Sequence, residues 1–200
     1  CPAAFFERMR TISELGGWSF GGLVAFEMAL QLAAGGEEIA LVALFGSHIP
    51  RAGIARPRFL SRDFPLRFLR EHGLDARPER FRVRGRRKLV RAVFDVARQA
   101  GVVSRRLRFP DFRHVMARHM WVYRAHARIG RSYVPQAKAD HVILFDAEDR
   151  SADGRGPFVE WNTVAERVSR HVVPGDHFTM LREPNVGRLV ECLKKYLLVP

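Results

Sequence analysis

The chain has few cysteines and no long apolar run. Its 200 residues include two cysteines, Cys1 and Cys192, too few for a disulfide framework, which favours a reducing, cytoplasmic setting. No apolar stretch reaches the roughly eighteen residues that span a membrane, and no segment resembles a signal peptide. No internal repeat is present. At 47% hydrophobic residues, the chain can bury the core of one globular domain.

Acidic residues are scarce in the middle of the chain. Residues 51–132 hold 23 Lys and Arg against 6 Asp and Glu, a surplus of 17 within a formal net charge of +13. Such a block attracts nucleic acid, an anionic membrane or an acidic protein. Thirty of the 34 basic residues are Arg, as in a compositional bias, and no nucleic-acid-binding signature accompanies them. We therefore predict neither a nucleic-acid nor a membrane partner.

Four glycines surround one serine in the stretch GGWSFGG, residues 16–22. It fits G-x-S-x-G as Gly17-Trp18-Ser19-Phe20-Gly21. In a nucleophile elbow the serine lies on a sharp strand-to-helix turn that exposes its hydroxyl, and glycine fits the crowded positions two residues either side. The alternative is a tight turn or helix cap without chemistry. A helical pattern and the apolar run IALVALF (39–45) follow, so the order predicts a βαβ unit and favours the elbow.

Composition divides the chain into three regions: an elbow unit (1–50), a basic helical region (51–132) and a return to α/β pattern (133–200). This order predicts an α/β-hydrolase sheet with an inserted helical lid. The predicted helices are 61–72, 86–100, 111–129 with Asp111 as N-cap and Phe112, Val115, Met116, Met120 and Tyr123 inward, 157–169, and 184–198. The later predicted strands are 141–145 and 170–174.

A serine nucleophile needs a base and a group that orients the base. In this fold they follow in the order serine, acid, histidine. His177 in VPGDHFTML is the best candidate base, because it follows a short strand near the C-terminus. His114, His119 and His126 share one predicted helix, but no H-E-x-x-H pattern supports a metal site.

The acid that orients the histidine is expected at the end of a strand, and the stretch ILFDAEDR contains such a strand end. This stretch offers Asp146, Glu148 and Asp149, and we favour Asp149 because it lies furthest into the loop. Asp146 is the alternative acid. Asp176, next to His177, is expected to brace the histidine loop.

These motifs together resemble the thioesterase domains of nonribosomal peptide and polyketide synthases, enzymes of secondary metabolite biosynthesis, and their stand-alone editing relatives. The resemblance rests on GGWSFGGLVAFEMALQL, SYVPQAKADHVILFDAED, Trp161 and VPGDHFTMLREPNV. It implies an α/β-hydrolase fold with a lid, and no bound cofactor. It also implies a substrate carried as a thioester on the phosphopantetheine arm of a carrier protein. By resemblance Ser19 is the nucleophile, His177 the base and the Phe20 N–H an oxyanion donor.

The sequence departs from that family twice. Gly46, in LFGSHIP, stands where many synthase thioesterases carry their acid, which directs attention to Asp149. Only 18 residues precede Ser19, where the fold normally has several strands, so we expect an N-terminally truncated sheet. Two alternatives to thioester hydrolysis or cyclising release stay open. One is an impaired remnant that only docks a carrier protein, and the other is an oxygen-ester hydrolase.

Overall fold

The structure is a computed structural model that describes residues 13–50, 64–75, 77, 81–82, 84–149 and 158–197. The described residues form two compact units. One is built from 13–50, 130–149 and 158–197, and the other from the described part of 64–129.

The first unit contains a four-stranded parallel sheet in the order β1-β2-β4-β6. Its strands are β1 (Ser13–Trp18), β2 (Ile39–Phe45), β4 (Ala139–Asp149) and β6 (Ala165–Asp176). Two short strands, β3 (Ile49–Pro50) and β5 (Phe158–Val159), pair antiparallel beside it. Because parallel strands end at one edge, the residues after β1, β2, β4 and β6 are brought to the same side of the sheet.

Helices cover both faces of this sheet. α1 (Phe20–Ala34) packs Leu23, Phe26 and Leu30 against the β2 side chains Val42 and Leu44. On the other face, the final helix α5 (Asn185–Leu197) packs Leu189 and Cys192 against alternate side chains of β2 and β4: Leu41, Ala43, Ile143 and Phe145. Alternate residues of IALVALF therefore enter two different cores, which explains why the strand is apolar on both faces.

The predicted helix over 157–169 is wrong. Residues 158–159 form β5, Trp161–Thr163 form a single 3₁₀ turn, and β6 begins at Ala165. β6 pairs with β4 from Ala139↔Ala165 onward, so tertiary pairing overrides a helical pattern in this stretch. The short strand predicted at 170–174 is the later part of this longer strand.

The strand before the elbow also differs from its sequence pattern. TISEL (11–15) is a weak strand pattern, yet β1 runs from Ser13 through the glycine pair to Trp18. Its pairing with β2 from Glu14↔Leu41 to Trp18↔Phe45 supplies the backbone bonds that the side chains do not predict.

The second unit is helical. It contains α2 (Phe64–Glu71), α3 (Arg86–Gln99) and most of α4 (Phe109–Ser132). Their apolar side chains meet in one core, with Leu69, Val93, Ala97 and Phe112 fully buried. α3 matches its predicted range within one residue, whereas residues 61–63 of the first predicted helix lie outside the described residues.

α4 departs from its prediction in two respects. It begins at Phe109, so Asp111 lies in the first turn and is not the N-cap. Phe112, Met116 and Met120 are buried as predicted, but Val115 is 37% exposed. Across the described parts of the chain, no helix is long and apolar enough to cross a membrane.

Candidate active site

Ser19 occupies a strained turn between β1 and α1. Its φ is 56° and its ψ is −123°, and it is the one non-glycine residue with positive φ in the described chain. Such backbone angles are disfavoured for a residue with a Cβ. The Ser19 N–H donates to the Phe45 carbonyl at 2.9 Å. Although Ser19 is the N-cap of α1, its side chain makes no capping bond, so the hydroxyl is available elsewhere.

Glycines let the chain turn this tightly, although the crowding falls partly at an unexpected position. A Cβ at Gly17 would collide with the backbone of Gly21 and Gly22, as expected for an elbow. At Gly21, however, a Cβ would meet nothing within 4 Å, because this residue is exposed on the first turn of α1. The prediction that the elbow is crowded at Gly21 is therefore wrong, and the crowding is found one residue later. It lies at Gly22, where a Cβ would collide with the Ser47 side chain.

His177 is brought to Ser19 by the loop that follows β6. The Nε2 of His177 lies 3.0 Å from the Ser19 Oγ, within hydrogen-bond distance, across 158 residues of sequence. Asp176 braces this loop, since its Oδ1 accepts hydrogen bonds from the backbone N–H of Phe178 at 2.9 Å and of Thr179 at 2.8 Å. The pair that sequence order placed together is thus adjacent in the structure.

Trp18 is a contact of His177 that sequence reasoning missed. The Trp18 indole N–H donates to the His177 carbonyl at 2.9 Å. Its ring centroid lies 5.0 Å from that of the imidazole, with 33° between the planes. The only sequence signal was its place in the motif, directly between Gly17 and Ser19.

Gly46 lies against the other nitrogen of the imidazole. Its φ is 54°, and a Cβ built on it would be 2.9 Å from the His177 Nδ1 and 3.4 Å from the Met180 Sδ. Gly46 directly follows β2. Gly46, which the resemblance predicted to stand where many synthase thioesterases carry their acid, therefore lies against the imidazole and carries no side chain.

The two candidate acids have different surroundings. Asp149 is the last residue of β4, so the expectation that it lies in a loop after a strand at 141–145 is wrong, because pairing with β6 extends the strand. It is exposed and pairs across the sheet with Asp176, the residue before His177. The register shifts after Ala147, so that the next two residues of β4 lie opposite the next three residues of β6. Asp146 is instead buried, and its Oδ2 forms an ion pair with Arg170 at 3.0 Å. Of the two carboxylates, Asp149 is the one at the strand end beside the histidine loop.

Phe20, the predicted oxyanion donor, lies at the N-terminal end of α1. It is the first residue of α1 and directly follows Ser19. The N–H groups of a helix's first turn are not used within the helix, and the helix dipole favours negative charge there. An oxyanion formed beside Ser19 would meet this end of α1.

Within the part of the chain that the structure describes, the other histidines do not assemble a metal site. His119 Nδ1 lies 2.9 Å from the Val115 carbonyl on its own helix. No group of three or more His, Cys, Asp or Glu side chains suited to a metal occurs within the described ranges. His141 and His171 lie on β4 and β6, where burial lowers the pKa of both.

A family model provides the deciding comparison. The model described as "Thioesterase domain" matches residues 13–197. The chain belongs to the thioesterase domain family. The matched range includes the elbow, the helical unit and the histidine loop.

Curated and solved relatives agree with this membership. The thioesterase chain is 28% identical over 196 residues to chondramide synthase cmdD of Chondromyces crocatus, covering 90% of this chain and 5% of the synthase. It is also similar to a four-domain nonribosomal peptide synthetase, with a TM-score of 0.68 at 20% identity. That likeness covers 100% of this chain and 15% of the synthetase, so the chain spans a small part of both proteins.

Two solved thioesterases share the fold over more of their own length. The NocB thioesterase domain, in covalent complex with a fluorophosphonate nocardicin G analogue, matches with a TM-score of 0.55 at 21% identity, over 98% of this chain and 70% of its own. The RedJ thioesterase of the prodiginine pathway in Streptomyces coelicolor matches with a TM-score of 0.57 at 20% identity, over 98% and 67%. The architecture is therefore that of thioesterase α/β-hydrolases.

Proposed function

We propose that this chain releases an acyl, peptidyl or polyketide chain from a carrier-bound thioester through an acyl-enzyme on Ser19. The observation that carries the proposal is the 3.0 Å contact between the Ser19 Oγ and the His177 Nε2. A serine hydroxyl is a weak nucleophile near neutral pH, and a base at this distance can take its proton as it attacks. Membership in the thioesterase family indicates which bond is attacked.

The first half-reaction transfers the acyl group to the protein. The Ser19 oxygen bonds to the thioester carbonyl carbon while its proton passes to His177 Nε2. The carbon–sulfur bond then breaks, and the imidazolium returns this proton to the sulfur, which leaves as a thiol. The N–H of Phe20 donates to the oxyanion in between. One such donor contributes about a hundredfold or more to turnover.

The second half-reaction frees the acyl group. His177 takes a proton from water, whose oxygen attacks the ester carbonyl, and the proton returns to Ser19 Oγ as the carbon–oxygen bond breaks. The product is a carboxylic acid. If a hydroxyl or amine within the acyl chain attacks instead of water, the product is cyclic.

Asp149 is our choice for the group that orients His177. It ends β4 opposite the residue before His177, and the β4 end is the side of the sheet on which His177 lies. Asp146 is less suitable because its Oδ2 is held by Arg170. In well-studied triads the orienting carboxylate fixes the imidazole tautomer and stabilises the imidazolium that forms.

Thiol release from an acyl thioester of N-acetylcysteamine, a small mimic of the phosphopantetheine end, tests the proposal. Ser19→Ala should reduce the rate to the buffer background, whereas the control Ser104→Ala, on the helical unit, should keep the wild-type rate. Equal activity of Ser19→Ala and wild type would overturn the proposal. The oxygen ester of the same acyl group, assayed in parallel, separates a thioesterase from a general esterase.

We propose that the carrier protein approaches the arginine-rich helix α4. Arg113, Arg118, Arg124 and Arg128 are all exposed on it, and Asp111 is its one acidic residue. An acidic carrier protein complements this charge, and salt should weaken the attraction. Cofactor binding plays no part, since the phosphopantetheine arm arrives with the carrier.

Charge reversal tests this surface. The double variant Arg118→Glu/Arg124→Glu should weaken binding of an acidic peptidyl carrier protein by about tenfold at low salt. Lys194→Glu/Lys195→Glu, on α5, makes the same charge change elsewhere and should have a much smaller effect. Binding that is equally strong in high salt would contradict an electrostatic route.

A carrier-binding protein without turnover is the second candidate function. It is favoured by one observation, that Gly46 faces the His177 Nδ1 without a carboxylate. This candidate requires that the protein binds the carrier protein, releases no thiol from the thioester and forms no covalent adduct on Ser19 with a fluorophosphonate. The two candidates are therefore separated by the same pair of assays.

A further inference from the structure

We propose that Trp18 is a positioning residue that holds the His177 imidazole against Ser19 and stabilises its protonated form. This inference rests on the proposed serine mechanism. It gives a role to Trp18, which occupies the first x position of G-x-S-x-G, where the motif specifies no residue type.

The first observation is a backbone anchor. The Trp18 Nε1–H donates to the carbonyl of His177 at 2.9 Å, joining residues 159 apart in sequence. Trp18 is the last residue of β1 and is paired with Phe45 of β2, so its backbone is fixed by the sheet. The residue next to the nucleophile thus directly holds the main chain of the base.

The second observation is ring contact. The indole and imidazole centroids are 5.0 Å apart at 33°, and Phe178 completes the cluster at 6.1 Å from Trp18 and 5.1 Å from His177. The indole face is the most favourable aromatic surface for a cation within about 6 Å. When His177 takes the Ser19 proton, the resulting imidazolium meets this surface. Trp18 therefore contributes in the transition state as well as in the resting protein.

The ionisable groups around His177 come from several elements. The elbow supplies Ser19, the end of β4 supplies Asp149 and the loop itself supplies Asp176. The end of β2 presents Gly46, and the loop presents Met180, neither of which titrates. Replacing Trp18 changes none of these charges, so a loss of kcat would report the loss of the indole contacts.

Two variants separate the anchor from the ring. Trp18→Phe keeps an aromatic face but loses the indole N–H, and kcat on the N-acetylcysteamine thioester should fall about tenfold with KM within about twofold. Trp18→Leu loses both contacts, and kcat should fall about a hundredfold, the cost expected for a misplaced catalytic group. A loss carried by kcat is expected because Trp18 acts through His177.

The split between kcat and KM gives a readout that general loosening would not reproduce. A loosened site should raise KM as well as lower kcat, whereas loss of the Trp18 contacts should lower kcat with KM within about twofold. The kcat of Trp18→Phe should lie between those of Trp18→Leu and wild type. Urea unfolding of each variant verifies that it is folded under the assay conditions.

Trp161→Phe is the matched control. Its indole N–H also donates to a backbone carbonyl, that of Ser47 at 3.1 Å, and its ring packs edge-on against Phe26. It should unfold at a lower urea concentration but keep the wild-type kcat and KM. Wild-type kcat in folded Trp18→Leu would overturn the inference alone, whereas a wild-type protein without thiol release or Ser19 labelling would overturn the proposed function itself.

Discussion

At the scale of single residues, the site depends on a strained serine whose neighbours allow the strain. A positive φ at a non-glycine residue costs about 1–3 kcal/mol, and it persists at Ser19 because β1 and α1 both fix the turn. Gly17 and Gly22 permit the close approach of α1 and Ser47. The Ser47 side chain donates to the carbonyls of Phe45 at 3.3 Å and Gly17 at 3.4 Å, which ties β2 to the elbow.

Asparagine at each candidate acid distinguishes the two carboxylates. Asp149→Asn should lower kcat by about ten thousandfold if this residue orients His177, as in well-studied triads. Asp146→Asn should leave kcat within about threefold and lower stability by about 1 kcal/mol, because its partner Arg170 is half exposed. Steady-state kinetics and urea unfolding measure the two effects. The reverse pattern would make Asp146 the acid.

A methyl group at Gly46 should displace the base. Gly46→Ala places a Cβ 2.9 Å from the His177 Nδ1, and a displaced imidazole should lower kcat about a hundredfold. Gly36→Ala is the control, because its φ of 86° is similarly unfavourable but its Cβ would enter open space. Both variants should lose stability, and only Gly46→Ala should lose activity. Equal kinetics in the two variants would contradict the contact.

The sequence predicted the Ser19–His177 pair because motif and chain order are both visible in one dimension. It could not predict Trp18, since an x position carries no pattern and its partner lies 159 residues away. The crowding at Gly22 was missed for the same reason, because it comes from Ser47 after an intervening helix and strand. Asp149 remains a prediction.

At the scale of elements, hydrophobic periodicity predicted the strands and helices whose burial pattern is regular along their whole length. It failed for the strand whose structure is determined by its pairing with a neighbouring strand. β2 matches IALVALF over Ile39–Phe45, and α5 lies within the predicted closing helix. β6 was divided between a helix and a short strand, because its burial alternates irregularly at the edge of the sheet. The register of β6 with β4 depends on the sheet as a whole, so the sequence of β6 alone does not predict it.

Truncating a core side chain of α4 tests the observed face of this helix. Phe112 is fully buried among α2 and α3 side chains, so Phe112→Ala should lower the free energy of unfolding of this unit by about 3–5 kcal/mol. Val115→Ala, at a position that the sequence pattern also placed inward, should cost about 0.5 kcal/mol or less. Urea unfolding followed by far-UV circular dichroism compares the two. Similar losses would mean that α4 is rotated.

At the scale of the whole molecule, the family and the α/β-hydrolase fold expected from the motifs are confirmed by the comparisons. The family could be predicted from the sequence because its motifs occur in both the first and the last strands of the sheet. Composition alone gave the uneven charge and the absence of long apolar runs, neither of which specifies a reaction.

Two partly buried histidines predict how stability depends on pH. Burial lowers the pKa of His141 and His171 below the usual 6.5, with Arg167 adding to the first and Lys195 and Arg188 to the second. The unfolded chain therefore binds more protons below about pH 7, and the free energy of unfolding should fall as the pH decreases. Urea unfolding at pH 7.5 and 5.5 should show a smaller fall for His141→Gln/His171→Gln. An identical fall would exclude these two side chains as the cause.

Mass spectrometry after treatment with a fluorophosphonate tests the central claim most directly. The Ser19 oxygen would bond to phosphorus as fluoride leaves, with His177 accepting the proton. We predict one adduct, on the peptide containing Ser19, and labelling at least about a thousandfold slower in His177→Gln. No adduct on folded wild-type protein, or equal labelling of the two proteins, would contradict the account.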